Sequence, residues 1–217
     1  MQKVISMQEA IEKIFDGAVV MFGGFMGNGS AHNMIDALIE KKIRDITIIC
    51  NDSGLPDYGV GKLVVGRHCK KVIASHIGLN KETGRQMTAN ELEVDLIPQG
   101  TLVEQIRAAG YGLGGVLTRT GMGTLVEEGK EKITVDGVEY LLEKPMKADF
   151  AVLHGSVVDT NGNITYKGST NNFNNVMAAA ADVTIVEAES LVEIGQIPPE
   201  NVATPGVFVD YIVMKQA

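Results

Sequence analysis

Apolar and polar positions along the first fifty residues predict a helix, a buried strand, a second helix and a second buried strand. The capping-box pattern at residues 6–9 precedes apolar residues at helical spacing. The continuous apolar run at 18–22 is typical of a strand that is covered on both faces, and residues 46–50 predict another buried strand. A helical stripe from Met34 to Ile39 lies between them. This order predicts a parallel sheet.

The alternation of strands and helices continues, and hairpin signals appear in the second half. Capping-box patterns at Thr101 and Thr124 predict helices, the first of them running to about residue 109. Asp-Gly at 136–137 and Asn-Gly at 161–162 predict hairpins. Further predictions are strands at 71–76, 92–97, 151–153, 183–186 and 208–214, and a short helix at 176–181 capped by Asn174 or Asn175. The whole predicts one α/β domain over residues 1–217: an open, mainly parallel sheet covered by helices, with antiparallel hairpin additions.

Composition narrows the function classes. The net charge of −8 disfavours nucleic acid as a partner, because phosphate binding needs Lys and Arg. The two cysteines, Cys50 and Cys69, form no disulfide or zinc pattern, so we expect reduced thiols and no metal site. The sequence shows no signal-peptide pattern and no apolar stretch near the roughly 20 residues that span a bilayer. We therefore expect a cytoplasmic protein with no membrane partner.

A glycine-rich loop separates the first predicted strand from the next helix. With the following serine, it consists of Gly23, Gly24, Phe25, Met26, Gly27, Asn28, Gly29 and Ser30. This edge of an α/β sheet is where ligands bind, and a helix N-terminus favours an anion. A tight turn without a ligand is the alternative. The glycine spacing differs from G-x-G-x-x-G, which disfavours a dinucleotide site, although Asp52 follows the second strand.

Residues 16–29 resemble the N-terminal signature of class I CoA-transferases: Asp-Gly, an apolar triplet, then Gly-Gly-Phe and a final glycine. Further segments similar to alpha subunits of that family are 51–52, 71–78, 98–102, 106–108, 112–115, 120–124, 162–166, 172–174 and 204–206. The resemblance implies the CoA-transferase / NagB-RpiA-like fold. The chain departs from the family pattern at Ala31 and Arg119, where proline is usual, and at Asn171, where many members carry a basic residue.

The resemblance also implies a reaction and a partner. It assigns CoA binding to the glycine loop, residues 23–30, and oxyanion stabilisation to Gln99, whose amide offers N–H donors without a charge. It implies transfer of CoA between a short-chain acyl-CoA (acetyl, butyryl or acetoacetyl class) and a carboxylate. The CoA thioester is then a substrate, and no tightly bound cofactor is expected. The family's nucleophilic glutamate lies in a Ser-Glu-Asn-Gly motif that is missing here, so we expect it on a beta subunit of an α2β2 assembly.

Other interpretations stay open from the sequence. A non-catalytic ligand-sensing module of the same fold is the main alternative, because such folds host unrelated functions. Gln99 is alternatively a turn-stabilising amide. Glu187, Glu189 and Glu193 are interpreted as polar positions near a strand end rather than as nucleophiles. His32, at the start of the second helix, is interpreted as structural.

Overall fold

The computed structural model describes residues 3–215, which form strands and helices in alternation. Within these residues the strands are β1 (Val19–Phe22), β2 (Ile46–Cys50), β3 (Cys69–Ala74), β4 (Glu93–Leu96), β5 (Val116–Thr118), β6 (Lys132–Val135), β7 (Val138–Glu143), β8 (Ala148–Asp159), β9 (Ile164–Thr165), β10 (Ala181–Val192) and β11 (Tyr211–Met214). The α-helices are α1 (Met7–Lys13), α2 (His32–Glu40), α3 (Gly61–Val65), α4 (Lys81–Thr88), α5 (Gln99–Gly110) and α6 (Asn174–Met177). No helix in residues 3–215 is both long and apolar enough to cross a membrane.

The large sheet has the strand order β11-β10-β8-β1-β2-β3-β4, and all of these neighbours are parallel. β9 pairs antiparallel with β8, and β5-β7-β6 form a separate antiparallel sheet. The predicted fold class is therefore confirmed. β2 lies on one side of β1 and β8 on the other, so the carboxyl end of β1 is a topological switch point, the place where open α/β sheets bind ligands.

Two hydrophobic layers cover the faces of this sheet. Helices α1, α2 and α3 pack on one face with Phe22, and α5 and α6 pack on the other with Met21. Successive residues of a strand point to opposite faces, so β1 contributes to both layers. Burial on both faces explains why β1 and β2 are apolar at every position except the buried Thr47.

Two local predictions are confirmed by the geometry of the backbone. The hydroxyl of Ser6 accepts the N–H of Glu9, whose carboxylate accepts the N–H of Ser6 at 2.8 Å, so the capping box starts α1. Asp136 and Gly137 have φ of +50° and +77° and join β6 to β7. Positive φ at both central residues is the type I′ turn that the Asp-Gly pair predicts.

The predicted starts of two helices are wrong. α5 begins at Gln99, and the N–H of Leu102 donates to the carbonyl of Pro98 at 2.9 Å, so Thr101 lies buried inside the helix instead of capping it. Pro98, with ψ of 134°, provides the extended residue that precedes the first turn. α6 spans Asn174–Met177 rather than 176–181, because residue 181 already pairs with β8 as the first residue of β10.

Two further boundaries differ from the sequence pattern, and three elements were not predicted. Thr124 does cap the following residues, but these form only a short 3₁₀ turn, Leu125–Glu127. The last strand is confined to Tyr211–Met214, because residues 206–208 form another 3₁₀ turn. Helices α3 and α4 and strand β5 had no counterpart in the sequence predictions.

Candidate active site

The glycine loop is a tight two-residue hairpin. Phe25 and Asn28 exchange both backbone hydrogen bonds, at 3.0 and 2.9 Å, and Met26 and Gly27 between them have φ of +52° and +80°. This is again the type I′ geometry. Gly27 is also required for space, because a Cβ there would lie 2.2 Å from Cδ1 of Tyr58. The chain therefore does form a tight turn at this edge, and the bound ligand stays a prediction.

Most backbone N–H groups of the loop are already bonded within the protein. Besides the hairpin pair, these bonds join Gly23 to the Val152 carbonyl, Gly24 to Asn172 Oδ1, Met26 to Asp52 Oδ2 and Ser30 to the Gly27 carbonyl, at 3.2, 3.0, 2.9 and 3.3 Å. Within residues 3–215, no hydrogen bond is found for the N–H of Gly27 or Gly29. A ligand would meet two free N–H groups of the loop rather than a continuous row.

The N-terminus of α2 does not face an open site. Its N-cap is Ala31, which has no side chain to accept a hydrogen bond. The carboxylate of Glu187, from the middle of β10, accepts the N–H of Met34 at 2.8 Å and is also bonded by the N–H of Asn33. Glu187 is 1% exposed, so its interpretation as a polar position near a strand end is wrong. A protein carboxylate occupies the positive end of this helix dipole.

A cavity of about 610 Å³ opens beside the loop, where β1 and β2 end and α5 begins. Its lining residues are Phe25, Asn51, Gln99, Gly100, Val103, Arg107, Ser169, Asn172, Phe173, Asn175 and Val176. The structure thus brings Phe25 of the loop and Gln99 to one cavity. Residues 27–30 line a separate pocket of about 150 Å³, and residues 23, 24 and 26 line neither.

Gln99 has a defined orientation in this cavity. Its Nε2 donates to Oδ1 of Asn51 at 2.8 Å. The hydroxyl of Ser75 donates to the backbone carbonyl of Asn51 at 2.7 Å and lies 3.2 Å from the same Oδ1. Asn51 is 4% exposed and follows the last residue of β2. A carboxamide nitrogen carries two hydrogens, so the second N–H of Gln99 stays available for a ligand. Gln99 is the first residue of α5 rather than a residue of the preceding turn.

Among the described residues, one charged side chain lines the cavity. Of the described residues that line it, Arg107 is the one ionisable side chain, and none is a carboxylate. Arg107 pairs with Glu104 at 3.1 Å and is 44% exposed. Arg107 was not predicted as a site residue, although Gln99, Val103 and Arg107 recur at intervals of four residues. That interval places residues on one face of a helix and was the available signal.

Asn51 and Phe173 also line the cavity without having been predicted as site residues. Asn51 had a positional signal, because it follows a buried strand at the edge where ligands bind. Phe173 had none, since only the packing of α6 beside α5 brings it there. Within residues 3–215, no group of three or more His, Cys, Asp or Glu side chains is placed to hold a metal ion. Burial raises the pKa of the Cys50 thiol well above its usual value and that of Cys69 to about 12, so both thiols are unreactive at neutral pH.

The model of the coenzyme A transferase family matches residues 4–215. The chain belongs to the coenzyme A transferase family. This chain is 50% identical over 214 residues to the acetate CoA-transferase subunit alpha of Escherichia coli (strain K12). The aligned region covers 99% of this chain and 97% of the relative. It is 51% identical over 215 residues, 99% of each chain, to the acetoacetyl-CoA:acetate/butyrate CoA transferase alpha subunit of Clostridium acetobutylicum.

Solved structures of CoA-transferases share the fold. An acyl-CoA transferase from E. coli O157:H7, in a thioester complex with CoA, superposes with a TM-score of 0.88 at 24% identity. The superposition covers all of this chain but only half the length of the E. coli O157:H7 protein. Glutaconate coenzyme A-transferase from Acidaminococcus fermentans gives a TM-score of 0.86 at 19% identity, over 98% of this chain and 75% of that one.

Proposed function

We propose that this chain is the alpha subunit of a two-subunit enzyme that transfers CoA between a short-chain acyl-CoA and a free carboxylate. The observation that carries the proposal is the 610 Å³ cavity, which joins Phe25 of the glycine loop to the oriented amide of Gln99 and contains no carboxylate. The two alpha-subunit relatives that are about half identical support the acetate, acetoacetate and butyrate class of acids. No observation favours a ligand-sensing module.

Gln99 is assigned to the reacting thioester. Gln99 lines the cavity and its second Nε2 hydrogen is not used by Asn51, so this neutral donor can stabilise the negative charge that develops on the thioester oxygen. Asn51 and Ser75 hold the amide in place before the substrate arrives, so little reorganisation is needed at the moment of reaction.

The nucleophile is assigned to a beta subunit. Because the described lining of the cavity has no carboxylate, the attacking glutamate has to enter from a partner chain, in the proposed α2β2 assembly. The glutamate attacks the acyl-CoA to give an anhydride and CoA thiolate. The thiolate then attacks the glutamyl carbonyl of the anhydride, which releases the first acid and leaves a glutamyl-CoA thioester, and a second acid takes the CoA by the reverse steps.

The CoA part of the substrate is assigned to the rim of the cavity. Phe25 offers an apolar ring that is 43% exposed, and Arg107 offers a positive charge to the anionic portion of CoA. Gly27 and Gly29, whose N–H groups make no hydrogen bond within residues 3–215, line the smaller pocket instead of the cavity, so the broader assignment of residues 23–30 to CoA binding stays a prediction. A single domain over residues 1–217 and a cytoplasmic location are part of the same proposal, and the family match over residues 4–215 supports the first of these.

The experiment that tests this function uses the chain together with a beta partner that carries the Ser-Glu-Asn-Gly motif. The pair is mixed with acetyl-CoA and acetoacetate, and transfer is followed by the appearance of acetoacetyl-CoA. In a second sample without acceptor, borohydride reduces the thioester intermediate, and mass spectrometry locates the modified glutamate. We expect the modification on the partner and none on this chain. Transfer by no reconstituted pair, or a modified glutamate on this chain, would refute the proposal.

A further inference from the structure

The start of α2 receives a cap from a distant strand instead of from its own N-cap residue. An N-cap side chain normally accepts the N–H of the second or third helical residue. In α2 these residues are Asn33 and Met34, and both bond the carboxylate of Glu187. Ala31 at the N-cap cannot make either bond. Glu187 therefore takes over the function of the missing cap.

Glu187 is placed for this contact by the sheet. It pairs with His154 of β8 and with Val213 of β11, so it lies in the interior of the sheet. It is 1% exposed, and one of its carboxylate oxygens has no hydrogen-bond partner among the described residues. Burial raises the pKa of Glu187, against the opposing effect of the N–H bonds from Met34 and Asn33. A buried carboxylate that is only half satisfied is costly, which favours a function for it.

The same carboxylate borders the pocket of about 150 Å³ behind the glycine loop. This pocket is lined by loop residues 27–30 and by His32, Tyr58, His154, Thr170, Glu187, Glu189 and Lys215. Nε2 of His32 donates to the carbonyl of Gly27 at 3.0 Å, so the first residue of α2 holds the hairpin turn directly. The ring of His32 also lies 4.2 Å from the ring of Tyr58, centroid to centroid.

The junction between the loop and α2 is mechanically linked to the cavity. Asn172, which lines the cavity, accepts the N–H of Gly24 at 3.0 Å and donates to the carbonyl of Asn28 at 3.0 Å. The hairpin is thus fixed at one side by Asn172 and at the other by the start of α2. Phe25, which pairs with Asn28 at the base of the turn, forms part of the cavity wall. A shift of the α2 start would move that wall.

We propose that Glu187 is a positioning residue of the active site: by bonding the N–H groups of Asn33 and Met34 it fixes the start of α2, and with it the hairpin that carries Phe25 to the cavity. The proposal rests on the proposed function, because its kinetic consequence is a change in acyl-CoA binding. Glu187 does not line the 610 Å³ cavity. It acts through the backbone of the loop.

Substitutions at Glu187 separate the hydrogen-bond acceptor from the shape and charge of the side chain. Glu187→Met is close in shape but offers no good acceptor, Glu187→Gln keeps one acceptor oxygen without the charge, and Glu187→Asp keeps the charge but withdraws it by one methylene. The matched control is Glu189→Met, two residues further on β10, at the rim of the same pocket. Each variant is reconstituted with the beta partner, and kcat, KM for acyl-CoA and amide hydrogen exchange of Asn33 and Met34 are measured.

The expected result is a KM for acyl-CoA raised about tenfold in Glu187→Met, with a smaller change in kcat, since a displaced wall weakens substrate positioning. Glu187→Gln and Glu189→Met should stay within about twofold of the wild type. Exchange of the Asn33 and Met34 amides should accelerate in Glu187→Met alone of these three. If Glu187→Met does not fold, Glu187→Asp is expected to raise KM and amide exchange in the same direction.

Two results would overturn the proposal. One is a Glu187→Met or Glu187→Asp variant with wild-type KM and wild-type amide exchange. The other is a Glu187→Gln variant as impaired as Glu187→Met, which would make the charge rather than the cap the important property. Absence of transfer by the wild-type pair would refute the proposed function instead, and amide exchange would still decide whether Glu187 fixes the start of α2.

Discussion

Removing the side chain of Asn174 should destabilise the protein more than any conservative change on the surface. Asn174 is fully buried at the start of α6, and its amide joins three parts of the backbone. Oδ1 accepts the N–H of His154 at 3.0 Å, and Nδ2 donates to the carbonyls of Gly29 and Thr170 at 2.9 and 2.8 Å. The residue therefore ties β8, the glycine loop and the segment before α6 together.

The magnitude follows from these three bonds. Asn174→Ala leaves one buried N–H and two carbonyls without their partner, and each loss reduces the free energy of unfolding by about 1 kcal/mol. The sum is about 3 kcal/mol, which for a chain of this size lowers the melting temperature by about 6–12 °C. Asn174→Asp should be as harmful, because it keeps the acceptor but places a second oxygen against two carbonyls.

The neighbouring asparagine provides the control. Asn175 has the same side chain in the same helix, but its buried Oδ1 makes no hydrogen bond among the described residues. Asn175→Ala should change the free energy of unfolding by no more than about 0.5 kcal/mol. Urea and thermal unfolding at one protein concentration measure both variants. A loss below about 1 kcal/mol in Asn174→Ala, or equal losses in the two, would contradict the three-bond account.

Three further predictions concern a turn, a pH range and the oxyanion donor. Gly27→Ala should lower the free energy of unfolding by about 1–2 kcal/mol because of its φ of +80°, and by more because the new Cβ would overlap Tyr58. Gly84→Ala, inside α4 with open space around it, should raise the free energy of unfolding by about 0.5–1 kcal/mol. Thermal unfolding of the two variants measures the difference. The hydrogen bonds from Arg85 lower the pKa of Glu82 to about 2. The stabilisation by the ionised Glu82 should therefore be complete above pH 4.5 and vanish as the pH falls toward 2. The unfolding midpoints of wild type and Glu82→Gln should converge near pH 2. Midpoints that stay apart at that pH would mean that another group causes the difference. Gln99→Ala should lower turnover by more than tenfold in steady-state assays with near-normal stability, and an unchanged rate would leave it a turn-stabilising amide.

The sequence predicted most of the fold because strands buried on both faces and amphipathic helices leave different periods in the chain. β1, β2 and α1 were recognised in this way, and Ser6 marked a helix start whose cap is made by a local side chain. The prediction failed at helices whose N-cap residue makes no side-chain hydrogen bond. Thr101 matches the capping pattern, yet Pro98 starts α5 earlier, and the short α6 is bounded by its packing against α5 and by the pairing of β10 with β8.

The candidate site, like the fold, depends partly on local sequence and partly on tertiary structure. The glycine loop and Gln99 stood out in the sequence because each combines an unusual residue with a position beside a strand end and a helix start. The tertiary structure brings the loop and Gln99 to one cavity and adds Asn51 and Arg107 to it. This arrangement depends on the strand order, in which β1 and β2 are adjacent, and on the packing of α5 against the face of the sheet that contains Met21. Glu187 is the clearest example of a contact that the sequence does not predict. A glutamate within an apolar strand carries no sign of its partner, and its contact with Asn33 and Met34 exists because the sheet places β10 under the start of α2. By itself the sequence determined most of the elements and the family, and it predicted two site regions, since these depend on neighbouring residues. Which side chains meet at the cavity, and which group caps α2, was decided by tertiary packing between residues about 150 positions apart, a separation over which local patterns hold no information.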